Sequence, residues 1–122
     1  MPRRLLVVDD EEPIRTLLSR ILSRNGYEVE CAVDGQDALD KLGEREFDGL
    51  ILDLMMPRVD GFGVIKFLSG TRSEMLRHTV IVTAFAGMAE SQKLNEVCHV
   101  LRKPFDIPTL LGIVSDCVDD HH

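Results

Sequence analysis

The chain has 122 residues, which suffices for one hydrophobic core and is too short for two ordinary domains. Hydrophobic residues make up 44% and charged residues 29%, so the composition argues against both a disordered segment and a disulfide scaffold. The 14 basic and 21 acidic side chains give a formal net charge of −7, which argues against direct binding of nucleic acid. We expect a cation and protein surfaces as partners.

The apolar runs are too short for a membrane-spanning segment. None approaches the roughly 20 residues that a helix needs to cross a bilayer. Residues 1–4 lead straight into a strand-like run and lack the apolar centre and cleavage site of a signal peptide. The sequence therefore predicts no membrane span and, by default, a cytoplasmic location.

The first half of the chain alternates between strand-like and helix-like patterns. An apolar run over 5–8 predicts a strand, and apolar residues at helical spacing predict a helix over about 12–24, ended by Asn25-Gly26. Alternating polarity over 27–32 predicts a short, half-exposed edge strand. A narrower helical stripe follows and ends at Gly43.

The second half continues the alternation. Residues 49–52 are apolar at every position, as expected for a strand buried on both faces at the centre of a sheet. A helix is predicted over 62–68, ending before Ser69-Gly70, and an amphipathic helix over 107–118 closes the fold. Two more strands are predicted, over 79–82 and 98–101. Five βα units with right-handed crossovers predict an α/β fold with a doubly wound, five-stranded parallel sheet.

We expect a single domain over residues 1–122, with a core from about residue 4 to residue 118. The last residues, 119–122, add nothing to the helical pattern. His121 and His122 are therefore interpreted as part of a frayed terminus or a cloning remnant rather than as a metal-binding pair.

The three cysteines, Cys31, Cys98 and Cys117, cannot all pair with one another. No two of them have the C-x-x-C spacing of a zinc or redox motif. We therefore expect neither a disulfide framework nor a zinc site, and we interpret the three as small core residues.

Polar residues follow four of the predicted strands, at the point where each strand ends. They are Asp9 with Asp10, then Asp53, Thr83 and Lys103. The carboxyl ends of parallel strands meet at one edge of a sheet, where open α/β sheets bind ligands. Carboxylates, a hydroxyl and an ammonium at that edge are the groups needed to hold a divalent cation and a phosphoryl group.

Four adjacent acids follow the first predicted strand, and they repel one another unless a cation or solvent offsets their charge. Glu11 and Glu12 suit the first turn of a helix, where negative charge is favourable. Asp9 and Asp10 precede that turn and require another explanation. Mg²⁺ supplies one, because it prefers oxygen ligands and is usually bound by one or two carboxylates with several waters.

Asp10 and Asp53 are the candidate magnesium ligands. With the charge of the site neutralised, the Asp53 carboxylate could attack a phosphoryl donor. Lys103 and the metal would offset charge on the transferring oxygens, and the Thr83 hydroxyl could donate a hydrogen bond to one of them. The sequence thus predicts a phosphoryl-accepting aspartate.

Longer motifs around these residues resemble the receiver domain of bacterial response regulators. The resemblance extends from Leu5 to about Val118, nearly the whole chain. The motifs are Asp9-Asp10 after the first strand, Asp53-Leu54-Met55-Met56-Pro57, Asp60-Gly61, Thr83-Ala84 and Lys103-Pro104-Phe105.

The resemblance implies a flavodoxin-like sheet with strand order 2-1-3-4-5. It also implies that Asp53 is the phosphoacceptor, that Asp10, Asp53 and the Met55 backbone carbonyl bind Mg²⁺, and that Asp9 reaches the ion through water. Lys103 would pair with Asp53 or its phosphate, Thr83 would be the switch hydroxyl, and the Lys103-Pro104 peptide bond would be cis.

The partners that the resemblance implies are a sensor histidine kinase or a phosphotransfer protein and a downstream effector domain or protein. Such a domain assists its own phosphorylation and dephosphorylation and is not an enzyme acting on a separate substrate.

The sequence departs from the receiver pattern in its last third. Val100 occupies the position, three residues before the lysine, where receivers commonly carry Tyr or Phe. Thr83 and Lys103 are 20 residues apart, closer than in the family pattern, and the usual Gly-Ala connector is missing. Between Gly87 and Val97 the helical stripe is weak, which predicts the least stable segment of the domain. Phe85 could take over a packing role or be an ordinary loop residue.

Two other functions compete with the phosphoacceptor. A pseudo-receiver, which binds proteins without phosphorylation, is favoured by the missing aromatic residue and opposed by the complete set of site residues. An aspartate-nucleophile phosphatase requires an acid or hydroxyl two residues after the nucleophile, and Met55 occupies that position. Whether the chain is a whole regulator or one part of a longer protein stays open.

Overall fold

A computed structural model describes residues 2–56, 58–84, 86–87 and 96–119. Its strands form one parallel sheet in the order β2-β1-β3-β4-β5, which confirms the predicted fold class and strand order. The strands are β1 Arg4–Val8, β2 Glu28–Ala32, β3 Gly49–Leu52, β4 Thr79–Thr83 and β5 His99–Arg102. The helices are α1 Glu12–Arg24, α2 Gly35–Glu44, α3 Gly61–Thr71, a 3-10 helix Ser73–His78, and α4 Ile107–Val118. Among these helices none is long and apolar enough to cross a membrane.

The hydrophobic core consists of two clusters, one on each face of the sheet. Alternate residues of the strands point to opposite faces, so Leu6 and Leu50 belong to one cluster and Leu5 and Ile51 to the other. The first cluster packs under α2 and α3, and the second packs under α1 and α4. β3 is buried along its whole length, as its uninterrupted apolar run predicts.

The predicted end of α3 was wrong. The helix continues through Ser69 and Gly70 to Thr71, and the unpredicted 3-10 helix follows. The hydroxyl of Ser69 donates a hydrogen bond to the carbonyl of Ile65 at 2.9 Å, and that of Thr71 donates to the carbonyl of Phe67 at 2.8 Å. These residues satisfy their polar groups within the helix, so they do not end it.

The prediction that the cysteines form no disulfide was also wrong. Cys98 and Cys117 form a disulfide, with their Cα atoms 5.9 Å apart. Only Cys117 is buried, while Cys98 is exposed and Cys31 is half-buried on the edge strand β2. The pair meets because β5 joins the edge of the sheet beside β4 and α4 returns across it, a long-range contact that spacing in the sequence does not reveal.

Some sequence predictions concern residues that are not described. Phe85 and residues 88–95 are outside the described ranges, and so are the last residues, 120–122. The low stability expected between Gly87 and Val97, the packing role considered for Phe85 and the interpretation of the histidine pair stay predictions.

Tyr27 links the start of β2 to the end of α4. Its hydroxyl donates a hydrogen bond to Asp119 Oδ2 at 2.8 Å. Burial and this bond raise the pKa of Tyr27 to about 12, from an ordinary value of 10.0. We expect Tyr27→Phe to lower the free energy of unfolding by about 1 kcal/mol, because the bond is only partly shielded from water.

The contribution of Tyr27 to the free energy of unfolding should fall as the pH rises. The folded state holds the phenol proton more tightly than the unfolded chain, so the extra stability is complete below pH 10 and is lost between pH 10 and 12. Urea denaturation below pH 10 and between pH 10 and 12 measures this change in the free energy of unfolding. An identical loss of stability with pH in the Tyr27→Phe protein would contradict this assignment.

Candidate functional site

The candidate site is built from the residues that follow the strands at their carboxyl ends. Backbone hydrogen bonds of the sheet continue one residue beyond each strand. The amide of Asp9 donates to the last carbonyl of β2 at 3.3 Å, and that of Asp53 donates to the last carbonyl of β1 at 3.0 Å. The amide of Lys103 donates to the carbonyl of Thr83 at 2.9 Å. The sheet itself therefore fixes the positions of the acidic, hydroxyl and basic groups.

Lys103 lies between two buried carboxylates. Its ammonium is 2.7 Å from Asp9 Oδ2 and 3.3 Å from Asp53 Oδ2, and it reaches Glu11 Oε1 at 3.5 Å. The Lys103 side chain is only 12% exposed, so water screens these interactions weakly. The predicted pairing of Lys103 with Asp53 is present in the structure, but the shorter contact of Lys103 is with Asp9 and was not predicted.

Burial and charge both affect the pKa values of Asp9 and Lys103. Burial raises the pKa of Asp9 above its ordinary value, and the hydrogen bond from Lys103 offsets only part of that effect. Burial alone would lower the pKa of Lys103, but the hydrogen bond and charge of Asp9, with the charge of Asp53, raise it. Lys103 is therefore a firmly held cation within an acidic group.

Asp9, Asp10 and Asp53 form a group that fits a divalent cation. Each offers a carboxylate oxygen, and the three oxygens lie within 4.8 Å of one another. Carboxylate oxygens are the ligands that Mg²⁺ prefers, so these side chains could hold the ion by closing in around it. Asp10 is exposed, whereas the other two are buried, which leaves a side open for waters or a phosphoryl group.

The remaining predicted residues lie around this group. Thr83 is fully buried at the end of β4, and Ala84 beside it is exposed. The amide of Met55 donates to Asp53 Oδ1 at 3.4 Å, and the Met55 side chain is 40% exposed. The role of the Met55 carbonyl as a metal ligand stays a prediction.

The segment after β4 follows the family in one feature and departs from it in another. The Lys103-Pro104 peptide bond is cis, as the resemblance implies. Val100 is half-buried and packs against the cluster under α2 and α3. Its side chain therefore contributes to the core, at the position where receivers commonly carry an aromatic residue.

The sequence did not predict the two partners of Asp34. Asp34 is buried, accepts a hydrogen bond from the amide of Asp37 at 2.8 Å to cap α2, and pairs with Arg58 at 3.2 Å. Arg58 follows the phosphoacceptor candidate in the same loop and has a φ of 65°. No local signal in the sequence indicates this distant partner of Asp34.

Comparison with known proteins identifies the family. A family model for the response regulator receiver domain matches residues 5–115. The chain belongs to this family.

The curated relatives are longer than this chain. Response regulator MprA of Mycolicibacterium vanbaalenii is 48% identical over 114 residues, which cover 92% of this chain and 48% of that protein. The protein of the same name from Mycobacterium tuberculosis is 49% identical over 114 residues, covering 92% and 49%. The chain therefore spans about half the length of the curated relatives that it matches.

Solved structures have the same fold. Response regulator protein TrrA from Thermotoga maritima, solved in complex with Mg²⁺-BeF, aligns with a TM-score of 0.86 and 30% identity, covering 94% of this chain and 98% of that one. Chemotaxis protein CheY4 of Vibrio cholerae aligns with a TM-score of 0.82 and 30% identity, covering 96% and 99%.

Proposed function

We propose that this domain accepts a phosphoryl group on Asp53 in a two-component phosphorelay, with Mg²⁺ bound by the neighbouring carboxylates. The observation that carries the proposal is the position of Asp53, buried, 3.3 Å from Lys103 and within 4.8 Å of the oxygens of Asp9 and Asp10. A nucleophilic carboxylate, a cation-binding acidic group and a fixed ammonium are the parts that phosphoryl transfer requires.

In this mechanism a carboxylate oxygen of Asp53 attacks the donor's phosphorus, an acyl phosphate bond forms, and the bond to the donor breaks. Asp10, Asp53 and the Met55 carbonyl would hold Mg²⁺ directly, with Asp9 acting through water, and the ion would supply positive charge for the phosphoryl oxygens. Lys103 offsets charge on the same oxygens from the side of β5. The Thr83 hydroxyl donates a hydrogen bond to a phosphoryl oxygen after a local adjustment of β4's end.

The partners in this proposal are a sensor histidine kinase or a phosphotransfer protein as donor and an effector domain or protein as the recipient of the signal. The domain acts on itself and has no separate substrate, so it is not an enzyme in the usual sense. Its charge of −7 supports an output through protein surfaces rather than through direct binding of nucleic acid. The cytoplasmic location stays a prediction.

Intact-mass spectrometry tests the proposal directly. The purified chain is incubated with acetyl phosphate or phosphoramidate, with Mg²⁺ in one sample and a chelator in the other. We expect the mass of one phosphoryl group to appear only with Mg²⁺. A chain that takes up none from either donor in the presence of Mg²⁺ would instead support the pseudo-receiver alternative.

The roles of Asp9 and Asp10 make a separate prediction. Asp10 is exposed and is assigned a direct bond to the ion, whereas Asp9 is already held by Lys103 at 2.7 Å. We therefore expect Asp10→Asn to weaken magnesium affinity by about tenfold or more, and Asp9→Asn to weaken it less. A metal titration of both variants measures the difference, and equal losses would show that the two roles are wrongly assigned.

A further inference from the structure

Cys98 and Cys117 lie at the end of the sheet opposite to Asp53. Cys98 directly precedes β5, and Cys117 is in the last turn of α4. Their sulfurs are bonded, and their Cα separation of 5.9 Å is typical of disulfides. The bond closes a loop that contains β5, Lys103 and α4.

Hydrogen bonds to their backbone atoms hold both cysteines independently of the sulfur atoms. The amide of Cys98 donates to the carbonyl of Thr79 at 2.9 Å. The Nδ1–H of His78, the preceding residue, donates to the carbonyl of Cys117 at 2.8 Å. Because two adjacent residues anchor the two cysteines, the thiols remain neighbours when the bond is open. The folded chain is therefore organised to close it again.

The two cysteines differ in access to solvent. Cys98 is exposed, whereas Cys117 is 6% exposed and packs in the cluster under α1 and α4. Thiol–disulfide exchange requires an attacking thiolate to reach a sulfur, so an external reagent reaches Cys98 first. Cys31 is on β2, at the other edge of the sheet from β5, about 19 Å away by the usual strand spacing. It is therefore too far from Cys98 to compete for that sulfur in the folded chain.

We propose that Cys98 and Cys117 are a reversible redox site that exchanges with a low-molecular-weight disulfide such as glutathione disulfide. The Cys98 thiolate attacks that disulfide, forms a mixed disulfide and releases one glutathione thiolate. The Cys117 thiolate then attacks the Cys98 sulfur and releases the second. Two cysteine thiols are oxidised, one glutathione disulfide is reduced to two thiols, and the two protons end on the glutathione produced.

Closing the bond fastens the end of α4 to the start of β5. Leu110, Val114 and Val118 keep α4 on the sheet in either state, so the reduced domain stays folded. The cross-link removes freedom from the unfolded chain and from local opening of the last helical turns. The oxidation state therefore sets how firmly the β5–α4 unit, which carries Lys103, is held. This inference does not depend on phosphorylation of Asp53.

The test uses a Cys31→Ser background, which leaves only the pair. The protein is equilibrated with glutathione and glutathione disulfide at a series of ratios, then alkylated with a maleimide and weighed intact. We expect two forms of the protein, a reduced form with two labels and an oxidised form with none. The two should be equally populated at a glutathione ratio within the series. Adding Cys117→Ala should trap one glutathione on Cys98, whereas adding Cys98→Ser should make glutathione attachment roughly tenfold slower or more.

The physical effect is measured on the same background protein. In the oxidised form we expect a higher melting temperature and slower hydrogen exchange over 107–118, with neither response in the Cys31→Ser/Cys98→Ser control. Three results would overturn the proposal. They are two labels across the whole series, a bond that survives the most reducing ratio in the folded protein, and exchange over 107–118 that is the same in both forms.

Discussion

Asp53→Asn should abolish uptake of a phosphoryl group from acetyl phosphate, with a fall in rate of about 100-fold or more. An amide oxygen is a poor nucleophile, and the substitution also removes one of the carboxylates that fit the cation. Asp40→Asn is the matched control, because Asp40 is an exposed acid on α2 and has no contact with the site. The Asp40→Asn protein should take up a phosphoryl group at the rate of the unsubstituted chain. Intact mass against time, at one magnesium concentration, measures all three proteins.

The loss in Asp53→Asn should not come from unfolding. Asp53 is part of a group of three carboxylates, two of them buried, and among the described residues the ammonium close to this group is that of Lys103. Replacing one carboxylate by a neutral amide lowers their mutual repulsion, so the melting temperature should stay level or rise. Uptake of a phosphoryl group by the folded Asp53→Asn protein at the unsubstituted rate would show that another residue is the acceptor.

The residues of the site were predictable because parallel strands bring their carboxyl ends to one edge. That rule requires only the positions of four apolar runs, and it placed Asp9, Asp53, Thr83 and Lys103 together. The resemblance added the strand order. Both predictions depend on local features of the sequence, namely the apolar runs that form strands and the motifs that carry the resemblance.

The contacts that sequence did not reveal are those between distant segments with no pattern of their own. The Cys98–Cys117 bond depends on where α4 ends relative to β5. The pair of Asp34 with Arg58 depends on how the loop after β3 lies against α2. Neither spacing nor composition carries that information.

Gly61 is a position next to the candidate site where even one added methyl group should be strongly destabilising. It begins α3, and a Cβ atom added there would lie 2.4 Å from the carbonyl oxygen of Asp53 and 2.6 Å from the Cα of Leu54. Both are backbone atoms, so no side chain can rotate away. The amide of Gly61 also donates to the Leu54 carbonyl at 2.9 Å. The start of α3 is thus in contact with the loop that positions the phosphoacceptor candidate.

We expect Gly61→Ala to lower the free energy of unfolding by about 2 to 3 kcal/mol, because relieving the overlap requires a shift of the backbone. Gly112→Ala is the matched control. Gly112 lies inside α4 with open space around its Cβ position, so alanine there should stabilise the domain by about 0.5 to 1 kcal/mol. The two substitutions add the same methyl group and should change stability in opposite directions, as measured by urea denaturation.

The same two variants show whether Gly61 positions Asp53 or only stabilises the fold. In Gly61→Ala the shift falls on the Asp53 backbone, so phosphoryl uptake should slow even at temperatures where the protein is fully folded. In Gly112→Ala uptake should be unchanged, because α4 can gain stability at that position without moving Lys103 or the carboxylates. Unchanged uptake in a folded but destabilised Gly61→Ala protein would mean that the contact of α3 with the loop holds the fold together without positioning Asp53.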